Sequence, residues 1–345
     1  MASSSKLFSF GLGVALVITV LGLRWAVIDH YGMDLPENDQ WDAEGIHSLL
    51  AWYQHRPLLP ELFTPHNEHY VVLTKLLNLG ITVVNGQWDQ RLEGLVNAFL
   101  PAALALALWR WARGFVRPGL VAPLGFALAL AWGLPLSWQN VIAGFHSQQF
   151  FMLGLAFATI VWLPFARPGG LRWWLGAIAG ATGLLSMASG FFAAAIVLVL
   201  LGLRLVLRET TWRAAWPSAV IALAICTAGW LMRHEVYYHA GLKAQNVHDF
   251  VQTIVLSLQW PAPFSRSFGV LLWLPWAWLA WSLWRSRRIP DGSRVYAWVL
   301  LGLGGWVGLQ LLATAYARGA GGPPPAVRYV DTLVFGGLVN LLALT

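Results

Sequence analysis

The sequence predicts an all-α polytopic membrane protein, and three observations carry that prediction. Apolar residues make up 58% of the chain. Charged residues make up only 11%, against about 25% in an ordinary soluble domain. Long apolar runs such as Val14–Leu23, Leu100–Leu108 and Phe191–Leu203 recur from end to end. Only helices and closed barrels satisfy a backbone in lipid, and these runs are too long and uniform for the alternating strands of an outer-membrane barrel.

At roughly 20 apolar residues per crossing, about ten spans are expected. They fall near 7–28, 92–109, 119–136, 148–165, 172–188, 190–207, 215–232, 268–284, 296–316 and 330–345. Lys6 before the first run resembles a signal sequence. No small-residue cleavage site follows, however, and Arg24–Trp25 reads as the end of an uncleaved span. No repeat of 20–50 residues and no soluble domain is apparent, so residues 1–345 read as one transmembrane domain.

The connections between spans alternate in charge. One side takes Lys6, Arg110, Arg113, Arg117, Arg167, Arg172, Arg204, Arg208, Arg213, Arg285, Arg287, Arg288 and Arg294, with only Glu209 and Asp291 as acids. The positive-inside rule makes that side cytoplasmic, with the N-terminus on it, as in a multi-pass protein of a bacterial inner membrane. The other side takes the remaining 13 acidic residues and all nine histidines. Arginines dispersed between apolar spans exclude a nucleic-acid surface despite the high isoelectric point. The single Cys226 lies in an apolar run, which excludes a disulfide or thiolate metal site within the chain.

Two outer loops follow from this topology, 29–91 and 233–267. Within the first, Tyr70–Val84 tempts a further span, but counting it would invert every later loop. Its polar residues Lys75, Asn78, Thr82 and Asn85 follow Glu68 along one stripe, predicting an amphipathic helix at the outer interface. Trp41–Tyr53 predicts another, with Asp39 as N-cap. In the second loop, Val247, Phe250, Val251, Ile254, Val255 and Leu258 share one face of a third helix. Asn246 would cap it, and Pro261–Ala262–Pro263 would end it. Gly319–Gly322 and Pro323–Pro325 form a non-helical outer loop.

Chemistry is expected in the first loop. Residues 29–69 hold eight of the 15 acids and five of the nine histidines. Asp39-Gln40-Trp41-Asp42 could supply a general base toward an acceptor hydroxyl or amine, bind a divalent metal, or simply cap a helix. His66-Asn67-Glu68-His69 places two imidazoles on one face if the turn is helical. That suits a divalent metal or a proton relay, or a polar helix start after Pro65. Trp138-Gln139-Asn140 through His146, Gln148 and Gln149 suits sugar hydroxyls and ring stacking, although interfacial tryptophan is also common for its own sake. Arg318 and Arg328-Tyr329 run against the charge bias on the outer side and suit a phosphate, or a salt bridge to Asp331. Arg233, His234, Tyr237, Tyr238, His239 and Lys243 form a similar, less specific cluster.

Taken together, a first span, an outer loop with the early acids of ENDQWDAEG and two interfacial helices, many further spans and a late outer arginine resemble the GT-C superfamily of integral-membrane glycosyltransferases. That superfamily includes the protein mannosyltransferases and the lipid A aminoarabinose transferases. The stretch TPHNEHYVVLTKLL is similar to that of bacterial membrane proteins of this type. The chain departs from the better-known members in lacking an Asp-Glu pair in this loop and a soluble C-terminal domain.

The resemblance implies transfer of a sugar from a polyprenyl phosphate or pyrophosphate donor to a lipid, glycan or protein acceptor at the periplasmic face. It makes Asp39 and Asp42 the candidate catalytic residues. His66, Glu68, His69, His146, Gln148, Arg328 and Tyr329 are the expected substrate-binding residues. Asp39, Asp42, His66, Glu68 and His69 are the candidate ligands should a divalent cation such as Mg²⁺ or Mn²⁺ take part. A transporter or flippase of a lipid-linked or acidic solute is the competing reading. The near absence of ionisable groups at mid-depth in the spans favours the enzyme.

Overall fold

The computed structural model describes residues 2–261, 266–285, 291–322 and 325–345. Arg287, Arg288, Pro263, Pro323 and Pro324 lie outside the described residues. All ten apolar segments fall on helices. These include α1 (Ala2–Tyr31), a π-helix α2 (Trp41–Leu50), α3 (Val72–Asn85), α4 (Gln90–Ala112), α5 (Val121–Gly133), α6 (Ser147–Trp162) and α7 (Leu171–Gly183). There follow α8 (Phe192–Val206), α9 (Trp212–Leu231), α10 (Val247–Leu258), α11 (Leu274–Arg285), α12 (Asp291–Arg318) and α13 (Val330–Ala343).

Among the described residues four helical stretches are long and apolar enough to cross a membrane, namely Leu7–Tyr31, Gln90–Ala112, Trp212–Leu231 and Ser293–Arg318. They mark a membrane-associated protein. Val72–Asn85, Pro118–Gly133, Phe192–Val206 and Val247–Leu258 are apolar but shorter.

The chain divides into two units. The first comprises Met1–His66 and Val71–Phe151, with Thr345; the second comprises Asn67–Tyr70 and Met152–Leu344. In the first, α1 packs against α4 and α5. The side chains of Val20, Leu108, Trp109, Leu128 and Trp132 are almost wholly buried there. Arg24 does not end the first helix as expected. It lies inside α1, 2% exposed, donates from Nε to the Trp132 carbonyl at 2.7 Å, and stacks on Phe150 at 4.7 Å. The carbonyl end of α5 is a partial negative charge, which is why an arginine fits inside an apolar helix there.

In the second unit, α7, α8 and α9 enclose Leu163, Trp173, Ala177, Val197, Leu201 and Ile225. The connection from α7 to α8 is tight enough that a Cβ on Gly190 would lie 2.0 Å from the Gly183 carbonyl oxygen. This is why the expected 172–188 helix stops early. Farther along, α12 packs against α13, with Trp306 edge-on to Phe335.

Two helices bury the opposite face from the one an amphipathic helix buries in water. On α3 the buried residues are Val72, Thr74, Lys75, Asn78, Leu79 and Thr82, while Val84 is 90% exposed and Leu76 and Val83 are also exposed. The expected polar stripe therefore packs inward instead of lying on a wet surface. On α10 the buried residues are Thr253 and Ser257, while Val247, Val251 and Val255 face outward. This is the pattern lipid would impose, because an apolar face costs nothing against acyl chains and polar groups then seek partners inside.

Candidate functional site

The site in the first unit begins with α2, whose ten residues form a π-helix. Extended π-helix is rare and marks functional positions. Asp39 does not cap it as expected: the N-cap is Gln40, in helical conformation with no side-chain cap bond. The Asp39 carboxylate turns to His66 instead, at 3.6 Å from Nε2, and Asp42 lies 2.9 Å from Nδ1. One imidazole thus stands between two carboxylates. The His66 side chain is 6% exposed, whereas Asp39 and Asp42 are 54% and 58% exposed. Behind it, the ring meets Phe145 edge-on at 5.4 Å. Burial alone would lower the imidazole pKa, but hydrogen bonds and charge from Asp39 and Asp42 outweigh it and raise it above the ordinary 6.5.

Beneath this group Lys75 is fully buried. Its ammonium donates to the carbonyls of Thr64, Glu61 and Leu62 at 2.7, 3.1 and 3.4 Å. Burial pulls its pKa down to about 8, against the opposing pull of Asp42, Glu61 and Glu44. Nearby, His47 and Arg56 both pair with Glu61, and the His47 hydrogen bond is the chief reason that carboxyl lies low.

A second acidic centre was not expected from the sequence. Glu44 on α2 and Glu93 on α4 are buried together, 0% and 1% exposed. The Gln40 amide bridges them, donating to Glu44 Oε2 at 2.9 Å and approaching Glu93 Oε2 at 3.3 Å, with Gln90 Oε1 at 2.8 Å. Asn78 donates to Glu93 at 2.9 Å. Burial first, then the neighbouring Glu93 charge, push the Glu44 carboxyl well above its usual range.

The signals were present but separated. Gln40 and Glu44 are four apart, Asn78 sits on the polar stripe of α3, and Glu93 interrupts an otherwise apolar span. No short motif joins positions 44 and 93.

The loop between α5 and α6 forms one wall. A Cβ on Gly144 would lie 2.4 Å from Glu93 Cδ, so only glycine lets the carboxyl seat on this backbone. Asn97 donates to the Gly144 carbonyl at 2.5 Å. His146 turns back on the Gln139 carbonyl at 3.2 Å, and Gln148 is buried. Of the residues expected to meet sugar here, Trp138 is the exposed one.

In the second unit Glu68 has firm partners. Arg318 binds it through both terminal nitrogens, at 3.2–3.3 Å, and His239 Nδ1 lies 2.7 Å from Oε1. Burial works against the charged form, but the Arg318 and His239 hydrogen bonds and the Arg318 charge win and hold the Glu68 pKa at about 2. Tyr238 donates to Asn67 at 2.7 Å.

Residues 66–69 form a turn, with Asn67 at φ 50°, and not the helix that would put His66 and His69 on one face. His69 Nδ1 instead accepts the Ala188 N–H at 3.1 Å. Among the described residues no three His, Cys, Asp or Glu side chains form a group that could hold a metal ion. Arg328 is exposed, its guanidinium 5.3 Å from the Tyr329 ring.

The geometry thus gathers Asp39, Asp42 and His66 in one unit, and Glu68 with Arg318 and His239 in the other. No family model matches the chain, and no curated protein or solved structure matches it either.

Proposed function

We propose that the chain is a multi-pass glycosyltransferase of a bacterial inner membrane, with about ten spans, a cytoplasmic N-terminus and the 29–91 loop on the periplasmic side. It moves a sugar from a polyprenyl-(pyro)phosphate donor to a hydroxyl- or amine-bearing acceptor. The observation that carries this reading is the pair of exposed carboxylates, Asp39 and Asp42, anchored on one buried imidazole.

Asp42 takes the proton as the acceptor oxygen or nitrogen bonds to the anomeric carbon. The bond from that carbon to the donor phosphate breaks, and the lipid phosphate leaves with the electron pair. His66 in its neutral form receives the proton from Asp42, and the flanking carboxylates that raise its pKa stabilise the imidazolium that results. The charge that develops on the leaving phosphate calls for a cation, the role the resemblance gives to Arg328.

The test is sugar transfer from a polyprenyl-linked donor. Asp42→Asn is expected to lose roughly 100-fold or more, the low end of a general base's contribution. Asp39→Asn and Arg328→Ala are expected to lose less. Full activity in all three variants would overturn the reading. The acidic limb of kcat/KM is expected above pH 6.5, because activity falls as His66 protonates with falling pH. In His66→Gln that limb should move down.

One observation favours transport of a lipid-linked or acidic solute as a second reading. Glu93 and Arg24 lie within apolar helices, where ionisable groups commonly mark pathways. Solute counterflow in proteoliposomes without chemical change would favour that reading over sugar transfer.

A further inference from the structure

Between the N-terminal half of α1 and the C-terminal end of α4 lies a cavity of about 580 Å³. Ligand pockets generally run from roughly 300 to 1,000 Å³. Its α1 wall runs from Ser9 to Ile18 and its α4 wall from Leu106 to Arg113. Phe10, Val14 and Ile18 are exposed, so the cavity opens sideways along a face that lipid would cover. The two helices touch at its floor, where a Cβ on Gly13 would meet Leu106 at 3.3 Å and Trp109 at 3.4 Å.

Its polarity is graded along the helix axis. Arg110 and Arg113 stand at one end, beside Ser9 and Phe10, and the walls become wholly apolar toward Ile18. The Arg113 guanidinium lies over the Trp109 ring at 4.9 Å, which fixes its direction. Among the described residues no carboxylate pairs with Arg110 or Arg113. From Ser9 to Ile18 the helix rises roughly 14 Å, which is about half of the roughly 30 Å hydrocarbon core. The groove is therefore one leaflet deep, with its basic end at the headgroup level.

From this geometry we infer that the α1–α4 groove is a binding site for one anionic phospholipid, its acyl chain along Val14, Val17 and Leu106 and its phosphate between Arg110 and Arg113. Charge complementarity selects this occupant over a zwitterionic lipid: two cations with no carboxylate partner among the described residues stand over an apolar slot of acyl-chain depth. Basic pockets between spans on the positive side are a known setting for acidic headgroups. The site is remote in sequence from Asp39, Asp42 and His66 and does not depend on the glycosyltransferase reading.

Native mass spectrometry of the full chain in detergent tests this directly, with equimolar 1-palmitoyl-2-oleoyl phosphatidylglycerol and phosphatidylcholine. A roughly 30-fold preference for phosphatidylglycerol is expected, equivalent to about 1 kcal/mol for each arginine. Arg110→Gln/Arg113→Gln should bind the two lipids equally, while Arg285→Gln keeps the preference. Val14→Trp, a change at an exposed position, should lose adducts of both lipids. Should the double arginine variant fail to fold, added salt on the unaltered chain should erode the preference instead. Equal binding by the unaltered chain would overturn the proposal. So would a preference that survives both the double arginine variant and Val14→Trp.

Discussion

Glu44 and Glu68 are both glutamates of the 29–91 stretch, and their surroundings push them in opposite directions. Glu44 is buried beside Glu93, and burial and that neighbouring charge outweigh the Gln40 hydrogen bond and the Lys75 charge, so its neutral form is favoured and its pKa lies well above the ordinary 4.5. In that case the folded state holds a proton that the unfolded chain gives up above pH 4.5. The contribution to stability is whole below 4.5 and drains away as pH rises toward the folded value. The apparent Tm in detergent is expected to decline over that window, and Glu44→Gln should flatten the decline.

Glu68 behaves in the reverse sense. Its folded pKa of about 2 lies below the ordinary 4.5, so its contribution is whole above 4.5 and is lost as pH falls from there to about 2. Glu68→Gln should weaken the acid-side loss. At neutral pH it should cost about 2 kcal/mol, less than for a fully buried pair because both groups keep some solvent. Chemical denaturation at pH 7 and pH 3 checks both signs.

At the scale of elements, the helices were legible and the direction of their burial was not. Periodicity marks Tyr70–Val84 and Val247–Leu258 as two-faced, but a period does not say which face meets protein. In water the apolar face turns in; here Thr74, Lys75, Asn78 and Thr82 turn in and Leu76, Val83 and Val84 turn out. A spin label at Leu76, in a Cys226→Ala background, is therefore expected to be quenched by lipid-soluble oxygen rather than by a water-soluble nickel chelate. The opposite ranking would mean that α3 turns its apolar face to water. Lys75 belongs to the same inward face: Lys75→Met strips three backbone carbonyls of their donor and should cost about 1–3 kcal/mol in the same denaturation assay.

At the scale of the whole molecule, composition and spacing were enough for an all-helical, membrane-associated chain, because lipid forces every apolar run into the same backbone solution. They singled out acids and histidines of the 29–69 stretch as candidates, but not the partners those residues have in the fold. Asp42 and His66 meet across 24 residues, and Glu44 and Glu93 across 49, through packing that no local pattern encodes. Glu68 and His69 were placed with His66 by adjacency alone, and a turn at Asn67 undoes that reasoning. The proposed topology makes a further statement that can be checked. Cysteines introduced at Arg117 and at Glu235, again without Cys226, are expected to react with an impermeant maleimide from opposite faces of sealed vesicles. Labelling of both from one face would overturn the arrangement of loops.

Arg24 has a consequence for how the chain comes to be in a membrane at all. One of its partners is the carbonyl of Trp132, 108 residues farther along. An arginine costs up to roughly 2.5–3.5 kcal/mol at the centre of an inserting helix, and less toward the end, where Arg24 lies in the Leu7–Tyr31 stretch. During synthesis α1 carries that burden until α5 has been made. The first helix is thus a conditional resident, secured by a residue that emerges from the ribosome much later. A chain stalled before Trp132 would present an unsettled N-terminal segment to whatever machinery judges membrane proteins for release or disposal.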